Sequence, residues 1–389
     1  MGVPLSIYLH IPFCRTKCTY CAFNTYTRSE HLIDHFVEAL ITEINIVGSS
    51  KPGQRVHTIF FGGGTPSLLS AAQIQQILDA IRQQFDLMAD AEITIEANPN
   101  DLERTYLTKV RATGVNRLSI GVQSTNDHEL KLFARRHDND EIVSAMSAAR
   151  LAGFDNVNLD LIYGIPHQTL DNWQWTLQQT LMLKPDHLSL YALGLEEGTP
   201  MYDWVQQGRL PAPDDELAAD MYELATQVLG ENGFEQYEIS NWAKPGLACR
   251  HNLQYWHNDP YVGLGPGAHG YADNVRYSTI LSPQRYIDAM RSAPLPHAYE
   301  YPRTPATDEA TMVDRANEIS ETLIMSLRLT QEGVRWTQFK ERFGEDLRDI
   351  HGSTIDHYAK HHLLECSHDR VRLTEQGRLL SNVIFRDLV

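Results

Sequence analysis

The sequence predicts an α/β protein: an incomplete (β/α)6-type barrel, followed by a smaller C-terminal domain of helical, winged-helix-like character. Three observations carry that prediction. Six short apolar β-type runs alternate with amphipathic helical stretches, the pattern of a parallel sheet with helical crossovers. Polar and chemically active residues recur where those runs end, and barrels of this kind place their chemistry at the C-terminal ends of the strands. Beyond a proline-rich stretch marked by Pro294, Pro296, Pro302 and Pro305, the alternation gives way to a different pattern.

Taken in order, the first run is SIYLHI from Ser6, and it leads directly into Cys14, Cys18 and Cys21. The second, VHTIFFG from Val56, ends in Gly62-Gly63-Gly64-Thr65-Pro66, where glycines permit close backbone approach and unusual dihedrals. EITIEAN from Glu92 ends near Glu96, NRLSIGV from Asn116 ends at Gln123, and NVNLDLI from Asn156 carries Asp160. HLSLYAL from His187 is the sixth. Helical patterns between them include Glu30 to Ile46, Ala71 to Phe85, Asp140 to Ala152 and Leu170 to Leu183. Three polar ends in register form a site rather than a solvated rim. The expected division is a barrel over residues 1–235, an extension and linker over 236–304, and the C-terminal domain over 305–389. That last part predicts a helix from Asp308 to Leu327, short helices near Trp336 and Ser353, and a two-stranded wing followed by a helix.

The cysteine spacing C-x3-C-x2-C is the most specific chemical signal. Thiolates are soft donors suited to iron-sulfur clusters or zinc, and a short loop lets three converge. A four-iron cube held by three cysteines leaves one iron open to a small molecule. A zinc site completed by His10 is the alternative, although such sites usually need a second cysteine pair and none follows. Cys249 and Cys366 are isolated, so a disulfide framework is not expected and a reducing cytoplasm fits. A net charge of −17 argues against a general nucleic-acid surface, and no apolar run reaches the length of a membrane span.

Across residues 8 to 270 the strings YLHIPFCRTKCTYC, FFGGGTPS, IEANP, RLSIGVQS, ARRH, LDLIYGIPHQT, HNLQYW and GLGPGAHG follow one another. In this order they resemble the radical S-adenosylmethionine (SAM) family that contains oxygen-independent coproporphyrinogen III oxidase and its heme-chaperone relatives. The resemblance implies a [4Fe-4S] cluster on Cys14, Cys18 and Cys21, with SAM on the fourth iron. It implies SAM contacts from Tyr8, Phe23, Gly63, Gly64, Thr65, Glu96, Gln123, Arg135 and Asp160. A carboxylate suits ammonium or ribose hydroxyls, and a guanidinium suits a carboxylate.

Two details separate the chaperone from the oxidase. The oxidases typically carry a fourth cysteine where this chain has Phe23, and a leader before the cluster motif where this chain has only a few residues. The string His251-Asn252-Leu253-Gln254-Tyr255-Trp256 resembles a chaperone pattern, which implies His251 as a heme ligand; read alone, it is a polar loop residue beside core aromatics. The expected function is therefore binding of heme and its transfer to an acceptor, a respiratory protein being one candidate, with a reductant for the cluster. Oxidative decarboxylation of coproporphyrinogen propionates is the alternative, and whether the chain is an enzyme stays open at this level. Gly265-Pro266-Gly267-Ala268-His269-Gly270 fits G-x-G-x-x-G in form only, and the His357, His361 pair reads as an exposed helix face.

Overall fold

The computed structural model describes residues 3–292 and 299–388; Pro294 and Pro296 of the linker lie outside them. Six parallel strands form the centre: β1 (Leu5–Ile11), β2 (Arg55–Gly63), β3 (Asp86–Ala97), β4 (Arg117–Gln123), β5 (Val157–Tyr163) and β6 (His187–Ala192). The crossovers run through helices α1 (Ile33–Ser50), α2 (Ala71–Gln84), α3 (Arg104–Ala112), α4 (Asn139–Leu151) and α5 (Leu170–Met182), with α6 (Asp215–Glu231) following β6. Local chemistry sets the helix starts. Ser70 and Asp138 each form a capping box, accepting the Gln73 and Glu141 amides while those side chains reach back, a device worth about 1 kcal/mol.

The sheet extends past the barrel on both sides. Beyond β6 lie the short antiparallel strands β7 (Glu235–Glu238) and β8 (Asn241–Ala243). Beside β1 lies the parallel strand β9 (Tyr261–Leu264), continued by an antiparallel meander of β10 (His269–Ala272), β11 (Val275–Thr279) and β12 (Thr307–Met312). The twelve-stranded order is β12-β11-β10-β9-β1-β2-β3-β4-β5-β6-β8-β7, and the two edges do not pair, so the barrel is open.

Strand alternation sorts the residues by face. Leu5, Ile7, Leu9, Ile59, Phe61, Leu118, Ile120, Leu159 and Leu161 are fully buried with the helix faces in one apolar core. The other face of the same strands carries Ser6, Tyr8, Thr58, Glu96, Arg117, Ser119, Asn158 and Asp160. The interior of an ordinary (β/α)8 barrel is filled with branched apolar side chains. This one is polar, and a polar interior in an open barrel is a place for a ligand.

The C-terminal domain has its own apolar core, from Ile319 to Leu388, around α8 (Arg315–Leu327), preceded in the chain by the short helix α7 (Arg250–Trp256). Three short strands, β13 (Val334–Arg335), β14 (Leu364–Cys366) and β15 (Arg370–Leu373), pair in the order β13-β15-β14, with helices after the last. This is the expected wing with a third strand added. The helix expected from Asp308 is a correction: Thr307–Met312 pairs with β11, and α8 begins only at Arg315, capped by Asp314. Sheet-edge pairing overrides a weak helical pattern there. The division expected at 235 falls on the first residue of β7, and β12 joins the barrel sheet from beyond 305.

Candidate functional site

The cysteine loop is pinned at both ends, because Phe13–Cys14 pairs in parallel with Tyr26–Thr27. The glycine loop after β2 lies against it, with the Gly64 amide donating to the Ile11 carbonyl and the Thr65 amide to the Phe13 carbonyl, both at 2.8 Å. A Cβ on Gly64 would stand 2.7 Å from the Phe13 oxygen, and one on Gly63 would meet the His10 ring at 2.6 Å. Gly63 also has φ +106, so no side chain fits either position without moving backbone or ring.

All three thiols are half-buried. Thr65 Oγ1 donates to Cys14 Sγ at 3.4 Å and Arg135 Nη1 to Cys18 Sγ at 3.5 Å. Burial pushes Cys14 up to about 11, the neighbouring thiols add to it, and Thr65 and Arg135 oppose it. Cys21 is likewise raised by burial. Metal ligation needs thiolates, and the Arg135 cation favours them. Among the described residues, no three His, Cys, Asp or Glu side chains close on a point as a single ion requires; a cluster spreads its cysteines over separate irons. His10 does not complete a zinc site, because its two ring nitrogens are engaged by the Tyr8 hydroxyl at 3.1 Å and the Asn24 carbonyl at 3.0 Å.

The remaining predicted residues divide clearly. Glu96 accepts the Gly63 amide at 3.1 Å, and burial, then the Asp160 carboxylate, pushes it up to about 8. Gln123 ends β4 at φ +68, next to a register shift that re-aims the chain. Arg135 donates to Asn98 Oδ1 at 2.6 Å and to the Gly121 carbonyl at 2.5 Å, while its buried Nε has no partner. Asp160 accepts from Asn158 at 2.7 Å and Ser119 at 3.2 Å and is raised chiefly by burial; it stands in the middle of β5, facing inward, rather than at its end. Phe23 is the exception. It is 70% exposed and does not join the group, because the paired ends of the cysteine loop turn it outward.

The thiol set, the side-chain-free glycine cradle and the orphaned Arg135 Nε fit a cluster with an amino-acid-bearing ligand beside it. Sequence reasoning missed Asn98, which orients Arg135 and donates to Thr65 Oγ1 at 3.1 Å. It also missed Arg117; a single charge in an otherwise apolar strand run was the available signal.

Below the cluster loop, the barrel encloses a cavity of about 200 Å³. One wall is aromatic, with Tyr8, Phe60, His251 and Tyr255; the other is polar, with Glu96, Arg117, Ser119, Asn158 and Asp160. His251 comes from α7, whose first amides are capped from across the sheet: Glu92 accepts from Arg250 N and His251 N, both at 3.0 Å. The His251 ring stacks on Phe60 at 5.1 Å. Thr58 Oγ1 donates to Ser6 and so receives the His251 Nδ1 proton at 2.8 Å; Nε2 then accepts from the Tyr255 hydroxyl at 2.8 Å. Burial pushes the imidazole down to about 3, so it is neutral. As placed, His251 has no free nitrogen for iron. The motif string is a helix with His251 and Gln254 buried rather than a loop, and its far end grips the C-terminal domain: Arg328 stacks over Trp256 at 4.4 Å and His257 meets Glu332 at 3.1 Å.

The Gly265–Gly267 turn is a brace, not a nucleotide loop. Pro266 O accepts from Asn24 at 3.0 Å, and Glu43 accepts the Gly265 amide at 2.8 Å. His357 and His361 lie on an exposed helix face with rings 4.8 Å apart.

Comparison with known proteins adds three findings. Residues 8–179 match the radical SAM superfamily and residues 313–380 match the HemN C-terminal domain. The chain is similar to the heme chaperones HemW of Bacillus subtilis (38% identical, 98% of each chain) and of Escherichia coli (37%, 97% of this chain and 96% of the relative). Its fold is similar to the solved coproporphyrinogen III oxidase HemN of E. coli, a radical SAM enzyme, with TM-score 0.83, 27% identity, and coverage of 99% of this chain and 90% of that one.

Proposed function

The chain belongs to the HemW family of heme chaperones within the radical SAM superfamily, and on that premise we propose that it binds heme and passes it to an acceptor protein from a scaffold carrying a [4Fe-4S] cluster and SAM. The observation that carries the cofactor part is the thiol loop with Gly63, Gly64 and Thr65 packed against it and Arg135 donating to Cys18. Cys14, Cys18 and Cys21 would hold the cluster; Glu96, Gln123, Arg135 and Asp160, with Tyr8, would hold SAM. A reduced cluster with SAM supplies one-electron chemistry when bound. The chain's own part is to aim, bind and exclude water. Glu96 offers a carboxylate to an ammonium, Arg135 is held in place by Asn98 and Gly121, and Gly63 and Gly64 keep the approach clear.

For heme, a cavity of about 200 Å³ is smaller than the roughly 300–1,000 Å³ of typical small-molecule pockets. The macrocycle would lie across the mouth, at the exposed Tyr191, with one edge inside. Ligation of iron by His251 would exchange the Tyr255 hydroxyl for iron at Nε2 while Thr58 keeps Nδ1, the usual way a second nitrogen fixes a ligating imidazole. A cytoplasmic setting fits five unpaired cysteines, and among the described residues no helix is long and apolar enough to cross a membrane. The likeness to HemN keeps coproporphyrinogen oxidation as the second reading. Anaerobic incubation of cluster-loaded protein with coproporphyrinogen III, SAM and reductant separates the two: no protoporphyrinogen is expected, and its formation would overturn the chaperone assignment.

A further inference from the structure

Arg117 opens β4 with its side chain turned into the barrel, and it is only 2% exposed. Among the described residues its guanidinium makes no hydrogen bond and no salt bridge, and its Nε is buried without a partner. Buried cations are normally paired and fully hydrogen-bonded. The acids that act on its charge, after the buried Cys249 thiol, include Glu92 and Asp160. Glu92 is occupied by the α7 amides, and Asp160 by Asn158 and Ser119. These neighbours balance the charge of Arg117 from a distance but do not fill its donor fork.

The fork lines the cavity, and it is a donor left unspent there. Ser119 gives its proton to Asp160, Ser189 gives its own to Asn158 Oδ1 at 3.2 Å, and the Asn158 amide is spent on Ser119 and Asp160. We infer that Arg117 is the anchor for a carboxylate of the bound ligand, taken bidentately, with the apolar body of that ligand against Phe60 and Tyr255. A planar carboxylate matches the two parallel N–H bonds of a guanidinium. The cavity volume admits an acid-bearing arm rather than a whole macrocycle. This assignment rests on the heme reading for its first candidate, a porphyrin propionate; the carboxylate of SAM is the other source.

Equilibrium titrations of cluster-loaded wild type, Arg117→Met and Arg117→Lys with heme, with the iron porphyrin dimethyl ester and with SAM separate the cases. Loss of the fork should weaken heme binding roughly 10- to 100-fold, with Arg117→Lys in between. The diester should bind the wild type as weakly as heme binds Arg117→Met, and should not respond to the substitution. A loss confined to SAM assigns the same anchor to the SAM carboxylate. Unchanged binding of heme and SAM in a folded Arg117→Met overturns the inference and leaves Arg117 as a buried counter-charge to Glu92. Failure of the wild type to bind heme at all tells against the chaperone reading, not against the anchor, which the SAM arm still tests.

Discussion

Glu96 gives the sharpest prediction about the cofactor site. Burial and Asp160 push its carboxyl up to about 8, so at pH 6 only about one molecule in a hundred carries the carboxylate. If Glu96 holds the ammonium of SAM, the bound state needs that carboxylate, and each pH unit below 8 costs about 1.4 kcal/mol. SAM affinity should therefore rise about tenfold from pH 6 to 7 and level off near 8. The Asp160 carboxylate adds to the shift of Glu96, and Glu96→Gln should remove the slope. Stability of the unliganded chain has a definite sign as well. The fold keeps a proton that the unfolded chain has already released, so stability falls as pH rises from the ordinary carboxylate range through about 8. Calorimetric titration of SAM from pH 6 to 9 reads the slope and the proton release. A flat affinity in the wild type, or a slope that survives Glu96→Gln, refutes the reasoning.

Four further outcomes follow from packing and burial. Glu43 is fully buried and accepts from Gly265 N, Tyr286 Oη and Thr304 Oγ1 at 2.7–2.8 Å, so Glu43→Leu should cost about 3–5 kcal/mol by orphaning those donors, measured by chemical denaturation. Its carboxyl is raised by burial, so the wild type loses stability with rising pH and the deficit of Glu43→Gln should be smaller at pH 8 than at pH 5. Gly64→Ala places a methyl against the Ile11 and Phe13 carbonyls and should lower iron content after reconstitution. Gly230→Ala, which meets open space in α6, should leave iron unchanged and gain about 0.5–1 kcal/mol.

The central six strands were legible because apolar residues at every second position face the helices, as Leu5, Ile7 and Leu9 do. The cysteine and glycine loops were legible because their residue types are rare at that spacing. What was not legible depended on pairing across distance. Strand β12 forms because β11 offers an edge, which the Thr307–Met312 pattern does not announce. Phe23 entered the expected SAM contacts through the resemblance, but the sequence does not give the direction of a loop side chain, and this one is exposed. The resemblance of the HNLQYW string implied a ligand at His251; only the structure shows Thr58 and Tyr255 on its nitrogens. Arg117 stood in plain view in NRLSIGV, and its lack of a partner is a property of the folded interior.

The central claim is heme binding by the cluster-loaded chain. An anaerobic heme titration followed by absorbance, on wild type and His251→Ala in parallel, tests it most directly. Saturable binding at one heme per chain is predicted, with an altered spectrum in the variant where Tyr255 yields Nε2 to iron. Absence of saturable binding in the wild type would contradict the account.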